Sequence, residues 1–405
     1  MEVAVALALL FFCVLLLASG TIAFLLIRHC LAALRRRPSA DADPEARAPA
    51  APRHRQPQPA AAAAAKPKQQ QQPLLIAAVK KEAQVPRRLA WREVEALTGG
   101  FDEAAVVGRG GSSTVYLARL MDGSPVAVKV HRWCGGERRL RAFRQELDLL
   151  RRLRHPNIVA LLAYSDDHEE EGALVLEYLA GGTLADALHG ATAGTAPLLS
   201  WAQRMRILHD VACALEHLHD GGSTAVVHGD VSASNVLLDG GGGARLCDLG
   251  SACEGFSAAV APARATVAVG SPGYADPFFL RTGIVSSKSD VYGFGVLLLE
   301  AVTGLPAAGG EEAASGENLT ARIVPRVRAR GVAGLVDGRL VGEGGYDEEE
   351  AADVARLAVE CVAAQPGLRP SMAQVRAAIA EKAARSIAKA GYGHHIQLSK
   401  LLELT

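Results

Sequence analysis

The sequence lacks several features that would point directly to a class of function. Its 43 Lys and Arg residues are matched by 43 Asp and Glu residues, so no overall charge indicates nucleic acid as a partner. The seven cysteines are scattered and form neither a C-x-x-C pair nor a Cys/His cluster at zinc spacing. We therefore interpret them as free thiols of a reducing compartment. No internal repeat is apparent, which argues against a repeat architecture.

Charge is also missing from one long stretch at the N-terminus. Val3–Ile27 holds no charged residue, and as a helix it would span about 37 Å, enough to cross a bilayer core of about 30 Å. A cleaved signal peptide is the alternative, but Glu2 precedes the apolar run where a signal peptide has basic residues. Arg28 and Arg35–Arg37 follow it and indicate a cytosolic C-terminal side. We expect a retained anchor with no ectodomain.

The segment that follows the apolar stretch is basic and of low complexity. Residues 28–88 contain 13 Lys or Arg and 4 Asp or Glu, a surplus of nine positive charges that suits an anionic membrane surface. Residues 35–86 are rich in Ala, Pro and Gln and lack periodic apolar positions. They are predicted to be a disordered linker between the anchor and a folded domain.

The remainder of the chain has the pattern of a mixed α and β domain. Strands are predicted at 106–116, around a Gly-rich turn, and at 125–130 and 173–178, because β-branched residues alternate there. Helical spacing predicts helices at 138–154, 201–219, 289–303, 347–363 and 371–384. Because strands crowd the first third and helices the rest, the sequence predicts an α+β fold of two lobes with a cleft between them.

A glycine-rich turn and a buried lysine are the first candidate functional features. Gly108–Tyr116 joins two predicted strands, and a turn with so many glycines could fold over phosphates. Lys129 stands within an apolar strand, where an ammonium is costly without a partner. Glu146 on the next helix shares a face with the apolar residues and is a candidate partner. The alternative is that Lys129 is an edge residue whose ammonium reaches solvent.

A polar loop further along the chain supplies the remaining chemistry. Asp230 and Asn235 lie five residues apart, and Asp248 follows in Asp-Leu-Gly. Phosphoryl transfer needs a phosphate cradle, a cation, oxygen ligands for a metal and a base near the acceptor hydroxyl. The sequence holds a candidate for each of these groups, in one order along the chain and at spacings typical of phosphoryl-transfer motifs. This combination favours phosphoryl transfer over a set of unrelated Asx-rich turns.

On these motifs the chain resembles the protein kinases over residues 101–382. From Leu89–Val94 through Gly270–Tyr274 to Ser289–Gly295 it also resembles the plant receptor-like kinases. The resemblance implies a bilobal fold, with a sheet-rich N-lobe and a helical C-lobe, that transfers phosphate from ATP to protein serine or threonine.

The resemblance also implies a role for each candidate residue. Asp230 would be the catalytic base, Lys129 would hold the phosphates, Glu146 would orient Lys129, and Asn235 and Asp248 would hold Mg²⁺. The nucleotide site would comprise Gly108, Arg109, Gly110, Gly111, Ser112, Ser113, Val115, Ala127, Lys129, Glu177, Leu179 and Leu237. Asp290 would anchor the catalytic loop, and Leu150, His228 and Leu249 would stack as a regulatory spine. Ser251, Ser257, Thr266 and Ser271 are candidate phosphosites.

Four positions depart from the family pattern. Ser113 replaces a glycine, and Gly229 replaces the arginine before the catalytic Asp, as in kinases called non-RD. Ser232 stands where the family has a lysine that neutralises the transferred phosphoryl group. Phe278 stands where the family has a glutamate that pairs with the equivalent of Arg369, although Asp276 is a candidate replacement.

The sequence therefore leaves more than one function open. The first hypothesis is a membrane-anchored serine/threonine kinase that uses ATP and Mg²⁺. The alternative is a pseudokinase scaffold or adaptor that docks a receptor kinase. Expected partners are a protein substrate, a receptor kinase co-receptor and membrane lipid, with no nucleic acid. The expected location is the plasma membrane, with an anchor at 1–34, the linker at 35–86, a lead-in at 87–100, the kinase domain at 101–382 and a tail at 383–405.

Overall fold

The structure is a computed structural model that describes residues 85–111, 113–134, 136–190, 198–254, 270–309, 317–341 and 345–390. The predicted anchor and nearly all of the predicted linker lie outside these ranges, as does most of the predicted tail. Within the described ranges no helix is both long enough and apolar enough to cross a membrane.

The described strands and helices follow one another in two groups. The strands are β1 (Arg87–Arg88), β2 (Val106–Arg109), β3 (Ser113–Arg119), β4 (Pro125–Arg132), β5 (Leu161–Ser165), β6 (Glu171–Glu177), β7 (Val226–Val227), β8 (Val236–Leu238), β9 (Ala244–Leu246) and β10 (Cys253–Glu254). The helices are α1 (Trp91–Leu97), α2 (Glu137–Arg152), α3 (Leu184–His189), α4 (Trp201–Asp220), α5 (Pro277–Thr282), α6 (Ser287–Thr303), α7 (Leu319–Arg330), α8 (Glu348–Cys361) and α9 (Met372–Lys382).

The first group forms the N-lobe around one sheet. Its six strands lie in the order β1-β5-β6-β4-β3-β2, and all neighbours are antiparallel except the parallel pair of β1 and β5. The burial of β3 alternates along the strand, so one face of the sheet packs on a core and the other borders the cleft. Helix α2 lies against the sheet on the side of the cleft.

The second group forms the helical C-lobe around α6. This helix begins at a capping box made by Ser286 and Ser289, and Gly304 in a left-handed conformation ends it. Every residue of it from Asp290 to Thr303 is buried, because α4, α7 and α8 pack around it. The bilobal fold predicted from the sequence is confirmed.

The predicted lead-in at 87–100 packs as part of the N-lobe. β1 extends the sheet, and Leu89 and Val94 are 3% and 0% exposed beneath it, in contact with Tyr116 and Val128. The lead-in therefore packs with the sheet, and the boundary of the kinase domain at Phe101 stays a prediction.

Candidate active site

An apolar wall of the cleft is formed by one face of β3 and β4. Val115 pairs with Lys129 across the two strands, and Ala127 precedes Lys129 by two residues, so the three side chains share a face. Tyr116 points to the other face and is buried against Val94. Val115 and Ala127 are only half-buried, as is Leu237 of β8. These side chains provide apolar surface of the kind that a planar base requires.

Lys129 lies at the centre of a network of two carboxylates. Its Nζ is 2.8 Å and 3.1 Å from the two carboxylate oxygens of Glu146 and 2.9 Å from Oδ1 of Asp248. Burial opposes the positive charge, but the two carboxylates outweigh it and raise the pKa of Lys129 above its ordinary value. Lys129 is therefore a paired buried cation, and the interpretation of it as a solvated edge residue is wrong.

The glycine-rich turn joins β2 to β3 as the sequence predicts. Gly108 and Arg109 end β2, Ser113 begins β3, and the N–H of Gly110 donates to the carbonyl of Ser113 at 2.8 Å. A Cβ on Gly111 would meet no atom within 4 Å, so this part of the turn is open. Ser112 lies outside the described residues. Whether the turn holds phosphates stays a prediction.

Glu177 at the end of β6 connects the lobes through its side chain. Its Oε1 accepts from the N–H of Ala160 at 2.9 Å, and its Oε2 pairs with Arg245 of β9. The carboxylate is thus fully used within the protein, and a nucleotide contact at this position would have to use the backbone. Leu179, two residues further along the chain, is 8% exposed.

The predicted catalytic base is held by two hydrogen bonds. Oδ1 of Asp230 accepts from the N–H of Ser271 at 2.7 Å, and Oδ2 accepts from the side-chain amide of Asn235 at 3.0 Å. The amide of Asn235 also donates to the Asp230 carbonyl at 2.8 Å. Asp230 is half-buried beside a small cavity of about 30 Å³ lined partly by Ser271, Tyr274 and Phe279.

Asn235 and Asp248 have the chemistry that a hard divalent cation prefers. The amide nitrogen of Asn235 is bonded to Asp230, so its oxygen is the end left to bind a cation. Burial opposes the charge of Asp248, but Lys129 and the N–H of Gly250 outweigh it and lower the pKa of this carboxyl. The N–H of Cys247 donates to the Asn235 carbonyl at 2.9 Å, which ties the two candidate ligands together.

Asp290 holds the start of the catalytic loop. Its carboxylate accepts from the N–H groups of His228 and Gly229 at 2.8 Å and 2.9 Å, and Nε2 of His219 lies 2.8 Å away. His228 Nε2 in turn lies 3.0 Å from the Cys247 carbonyl, beside Asp248. Asp290 of α6 therefore fixes the start of the loop that carries Asp230.

Gly229 occupies a conformation that an arginine would adopt only with strain. Its φ is +80°, and a Cβ there would lie 2.6 Å from the carbonyl oxygen of Ser251. The backbone is thus adapted to glycine, and the change from the family's arginine alters more than a charge.

Ser232 is buried next to Ser271, one of the candidate phosphosites. Ser232 is 0% exposed, and the hydroxyl of Ser271 donates to its hydroxyl at 3.1 Å. The pair places neutral groups where the family has a lysine. Of the other candidate phosphosites, Ser251 lies in a 3₁₀ turn at 249–251, whereas Ser257 and Thr266 lie outside the described residues.

Asp276 makes the ion pair with Arg369 that the family's glutamate would make from the position of Phe278. Nη1 and Nη2 of Arg369 bond the two carboxylate oxygens of Asp276 at 2.8 Å and 2.7 Å, and both side chains are almost fully buried. Asp276 also caps α5 through the N–H of Phe278 at 2.9 Å. Arg369 is therefore paired, and the concern that Phe278 leaves it as an uncompensated charge is wrong.

Tyr274 is a site residue that the sequence analysis did not identify. Its hydroxyl accepts from the N–H of Ala233 at 3.0 Å and donates to Glu300 of α6. Glu300 also lies 3.1 Å from His189. Burial, together with the charge of Glu300, raises the pKa of Tyr274. The phenol braces the catalytic loop against α6, a contact between distant residues that no local pattern reveals.

Comparison with known proteins agrees with this geometry. Residues 101–378 match the model of the protein kinase domain. The chain is 52% identical over 299 residues to salt tolerance receptor-like cytoplasmic kinase 1 of Oryza sativa subsp. japonica, covering 73% of this chain and 80% of that one. It is 41% identical over 299 residues to a probable receptor-like protein kinase of Arabidopsis thaliana, covering 71% and 85%. A probable LRR receptor-like serine/threonine-protein kinase of Arabidopsis thaliana is 36% identical, covering 71% and 32%.

Proposed function

Because the chain belongs to the protein kinase family, and within it to the plant receptor-like kinases, we propose that it phosphorylates protein substrates in cytosolic signalling at a membrane. It is a protein serine/threonine kinase. The observation that carries the proposal is the bonded network of Glu146, Lys129 and Asp248. An arrangement with Lys129 paired to a helix carboxylate and next to a metal-binding carboxylate is the one that phosphoryl transfer requires.

Each residue of the network has a defined task in this reaction. Lys129 presents its ammonium to phosphate oxygens, and Glu146 holds Lys129 in place. Asp230 has a fixed orientation because Ser271 and Asn235 donate to it, so its carboxylate can accept the proton of a substrate hydroxyl. Val115, Ala127 and Leu237 supply the apolar surface for the base of ATP.

We assign Mg²⁺ as the metal, with Asn235 and Asp248 as its protein ligands. Both offer oxygen donors, and one or two protein oxygens plus phosphate oxygens are the usual ligand set of Mg²⁺ at such sites. When bound, the ion would neutralise charge on the phosphates of ATP.

A pseudokinase scaffold is the second candidate, and Ser232 is the observation that favours it. The buried hydroxyl pair of Ser232 and Ser271 offers no positive charge to the transferred group. The Asp276–Arg369 pair weighs against this candidate, because it supplies the buried ion pair that the family's glutamate would otherwise make.

The test is phosphate transfer from ATP by the full-length chain purified in detergent. Wild type is compared with Asp230→Ala and Asp248→Asn, and with Asp220→Asn as a matched control, since Asp220 is an exposed carboxylate at the end of α4. We expect Mg²⁺-dependent transfer in wild type and the control, and none in the two site variants. Equal signals from all four proteins would contradict the proposed phosphate transfer and favour the pseudokinase scaffold.

The membrane anchor is a separate part of the proposal. Its support is the uncharged stretch at 3–27 and the basic residues that follow. The rice relative is named a cytoplasmic kinase, so a location away from the membrane is the alternative. Extraction of plant membranes with alkaline carbonate tests it: the full chain should stay in the pellet and a chain lacking residues 1–34 should not. Release of both would overturn the anchor.

We also assign the chain to the non-RD type, because Gly229 precedes Asp230. Activation by a phosphate that docks on an arginine at this position is then excluded. A receptor kinase co-receptor, engaged through the linker at 35–86, is the proposed upstream partner. Deletion of the linker should then abolish signalling while leaving phosphate transfer in vitro unchanged, whereas loss of both would contradict a recruiting role.

A further inference from the structure

A histidine with no assigned role lies beside the phosphate-binding ion pair. His131 follows Lys129 by two residues on β4 and therefore shares its face of the sheet. The residue is 8% exposed, and its Nε2 has no hydrogen-bond partner among the described residues. A buried nitrogen without a partner costs about 1–3 kcal/mol, so its presence calls for an explanation.

The ring of His131 contacts α2 at two positions one turn apart. Its Nε2 lies 3.4 Å from Oε2 of Glu146, and its ring centroid lies 5.3 Å from that of Phe143. The rings of Phe143 and Trp133 are 5.4 Å apart, so Phe143 lies between two aromatic neighbours. A contact to Phe143 and another to Glu146 restrain both the rotation and the translation of the helix.

Strand β6, which lies next to His131, leaves space for the ring of Phe143. Gly172 of β6 pairs with His131, and a Cβ at Gly172 would lie 2.4 Å from the ring of Phe143. Glycine here opens a slot in which Phe143 seats α2 on the sheet. His131 forms one wall of that slot and faces Glu146.

We propose that His131 is a positioning residue for nucleotide binding, which holds α2 so that Glu146 stays within bonding distance of Lys129. The inference rests on the proposed function, because it concerns the phosphate-binding lysine of that site. An approach of about 0.5 Å would bring Nε2 of His131 into ordinary hydrogen-bond distance of Glu146. Glu146 would then accept from Lys129 and from His131.

The surroundings of His131 keep the ring neutral, as this role requires. Burial is the main cause and the ammonium of Lys129 adds to it, so the pKa of His131 is lowered to about 3, although Asp248 acts in the opposite direction. Lys129, Glu146 and Asp248 are the charged groups that bear on the ring. A neutral ring carries one N–H, which can donate to Glu146 without competing with Lys129 for its charge.

The role fits a kinase without an arginine before its catalytic Asp. Where that arginine is present, a phosphate docked on it can help to order the site. Gly229 removes this device, so α2 has to be held by contacts that do not depend on phosphorylation. The contacts of His131 with Phe143 and Glu146 provide such a restraint.

The experiment uses three substitutions of His131 in the full-length chain. His131→Phe keeps a ring for Phe143 but has no nitrogen. His131→Gln places an amide nitrogen near the position of Nε2, whereas His131→Asn places one near Nδ1. His209→Phe on α4 is the matched control, because it removes a half-buried histidine elsewhere in the domain. The dissociation constant of ATP with Mg²⁺ and the hydrogen exchange of the α2 amides are measured without turnover.

We expect His131→Phe and His131→Asn to weaken ATP binding by about fivefold and to speed exchange in α2. His131→Gln should lose less ATP affinity than either of these variants, because it keeps a donor near Nε2, and the control should match wild type. In the turnover assay the loss should appear in KM for ATP, with kcat unchanged within about twofold. Unchanged ATP binding in His131→Phe would overturn the proposal, as would equal losses in the Phe and Gln variants. A wild type that binds ATP but transfers no phosphate would refute the proposed function and still allow this comparison.

Discussion

Substitution of Asp276 by asparagine should destabilise the C-lobe strongly. Asparagine keeps the oxygen that caps α5 through the N–H of Phe278. The second oxygen, which accepts from the hydroxyl of Ser289 at 3.1 Å, becomes an amide nitrogen. The substitution removes the charge that compensates Arg369, a side chain that is 0% exposed. The variant therefore isolates the ion pair from the cap.

The expected magnitude follows from the burial of the pair. Removal of one partner of a buried ion pair costs about 3–5 kcal/mol, because the other charge stays behind without compensation. Arg369 retains the carbonyls of Lys288 and Ala363 as acceptors and lies 5.0 Å from the ring of Tyr292. These contacts favour the lower limit, about 3 kcal/mol.

Equilibrium urea unfolding is the assay, with Glu137→Gln as the matched control. Glu137 is 88% exposed and pairs with Arg141 at 3.6 Å, so its loss should cost no more than about 0.5 kcal/mol. For an unfolding slope of about 3 kcal/mol per M, Asp276→Asn should lower the midpoint by about 1 M. Addition of Phe278→Glu should recover part of the loss, because glutamate would restore a negative charge near Arg369. A loss below about 1 kcal/mol in Asp276→Asn would refute the reasoning.

Three further predictions concern the same site. Gly229→Ala should cost about 1–3 kcal/mol in urea unfolding, because φ is +80° and the Cβ would meet Ser251, whereas a cost near zero would contradict the strain. Ser232→Lys should raise kcat for phosphate transfer by about tenfold by supplying the missing cation, while the uncharged Ser232→Met should not; equal rates would contradict the charge argument. Because the folded pKa of His131 is about 3 and its ordinary value is 6.5, the unfolded chain binds the extra proton between these values. The free energy of unfolding should therefore decrease as the pH is lowered from 6.5, by up to about 1.4 kcal/mol per pH unit, and His131→Phe should make that slope shallower. Identical slopes in wild type and His131→Phe would contradict a neutral buried ring.

The sequence predicts the elements of this fold where one periodicity runs for several turns. Helix α2 was predicted at 138–154 and is observed at Glu137–Arg152, with Glu146 on the face that meets Lys129. The apolar run at 289–303 is observed as α6. In both cases local pattern and tertiary burial agree, which is why the prediction is accurate to a few residues.

Elements that depend on distant contacts were not predictable in the same way. β1 has only two residues and exists because it pairs with β5, some 75 positions along the chain. Helix α7 contains Pro325, a residue that favours a helix end, yet it continues because its apolar face packs on α6. In this helix, burial of the apolar face outweighs the low helix propensity of proline.

In the candidate site, too, features with a local sequence pattern were predictable and contacts between distant residues were not. The types and spacings of Lys129, Asp230 and Asp248 indicate phosphoryl transfer without any coordinates. The sequence offers Asp276 only as a candidate replacement for the family glutamate, because the pairing depends on which carboxylate reaches Arg369 from 93 positions away. The hydrogen bond from Ser271 to Asp230 depends on how the chain returns to the catalytic loop. Neither contact has a local signature.

Phosphate transfer by the full-length wild type, set against Asp230→Ala and Asp248→Asn, tests the account most directly. With labelled ATP, Mg²⁺ and a serine/threonine peptide mixture, we expect transfer that both variants abolish and that Asp220→Asn leaves unchanged. A wild-type signal no greater than that of the two variants, from protein that unfolds cooperatively, would contradict it.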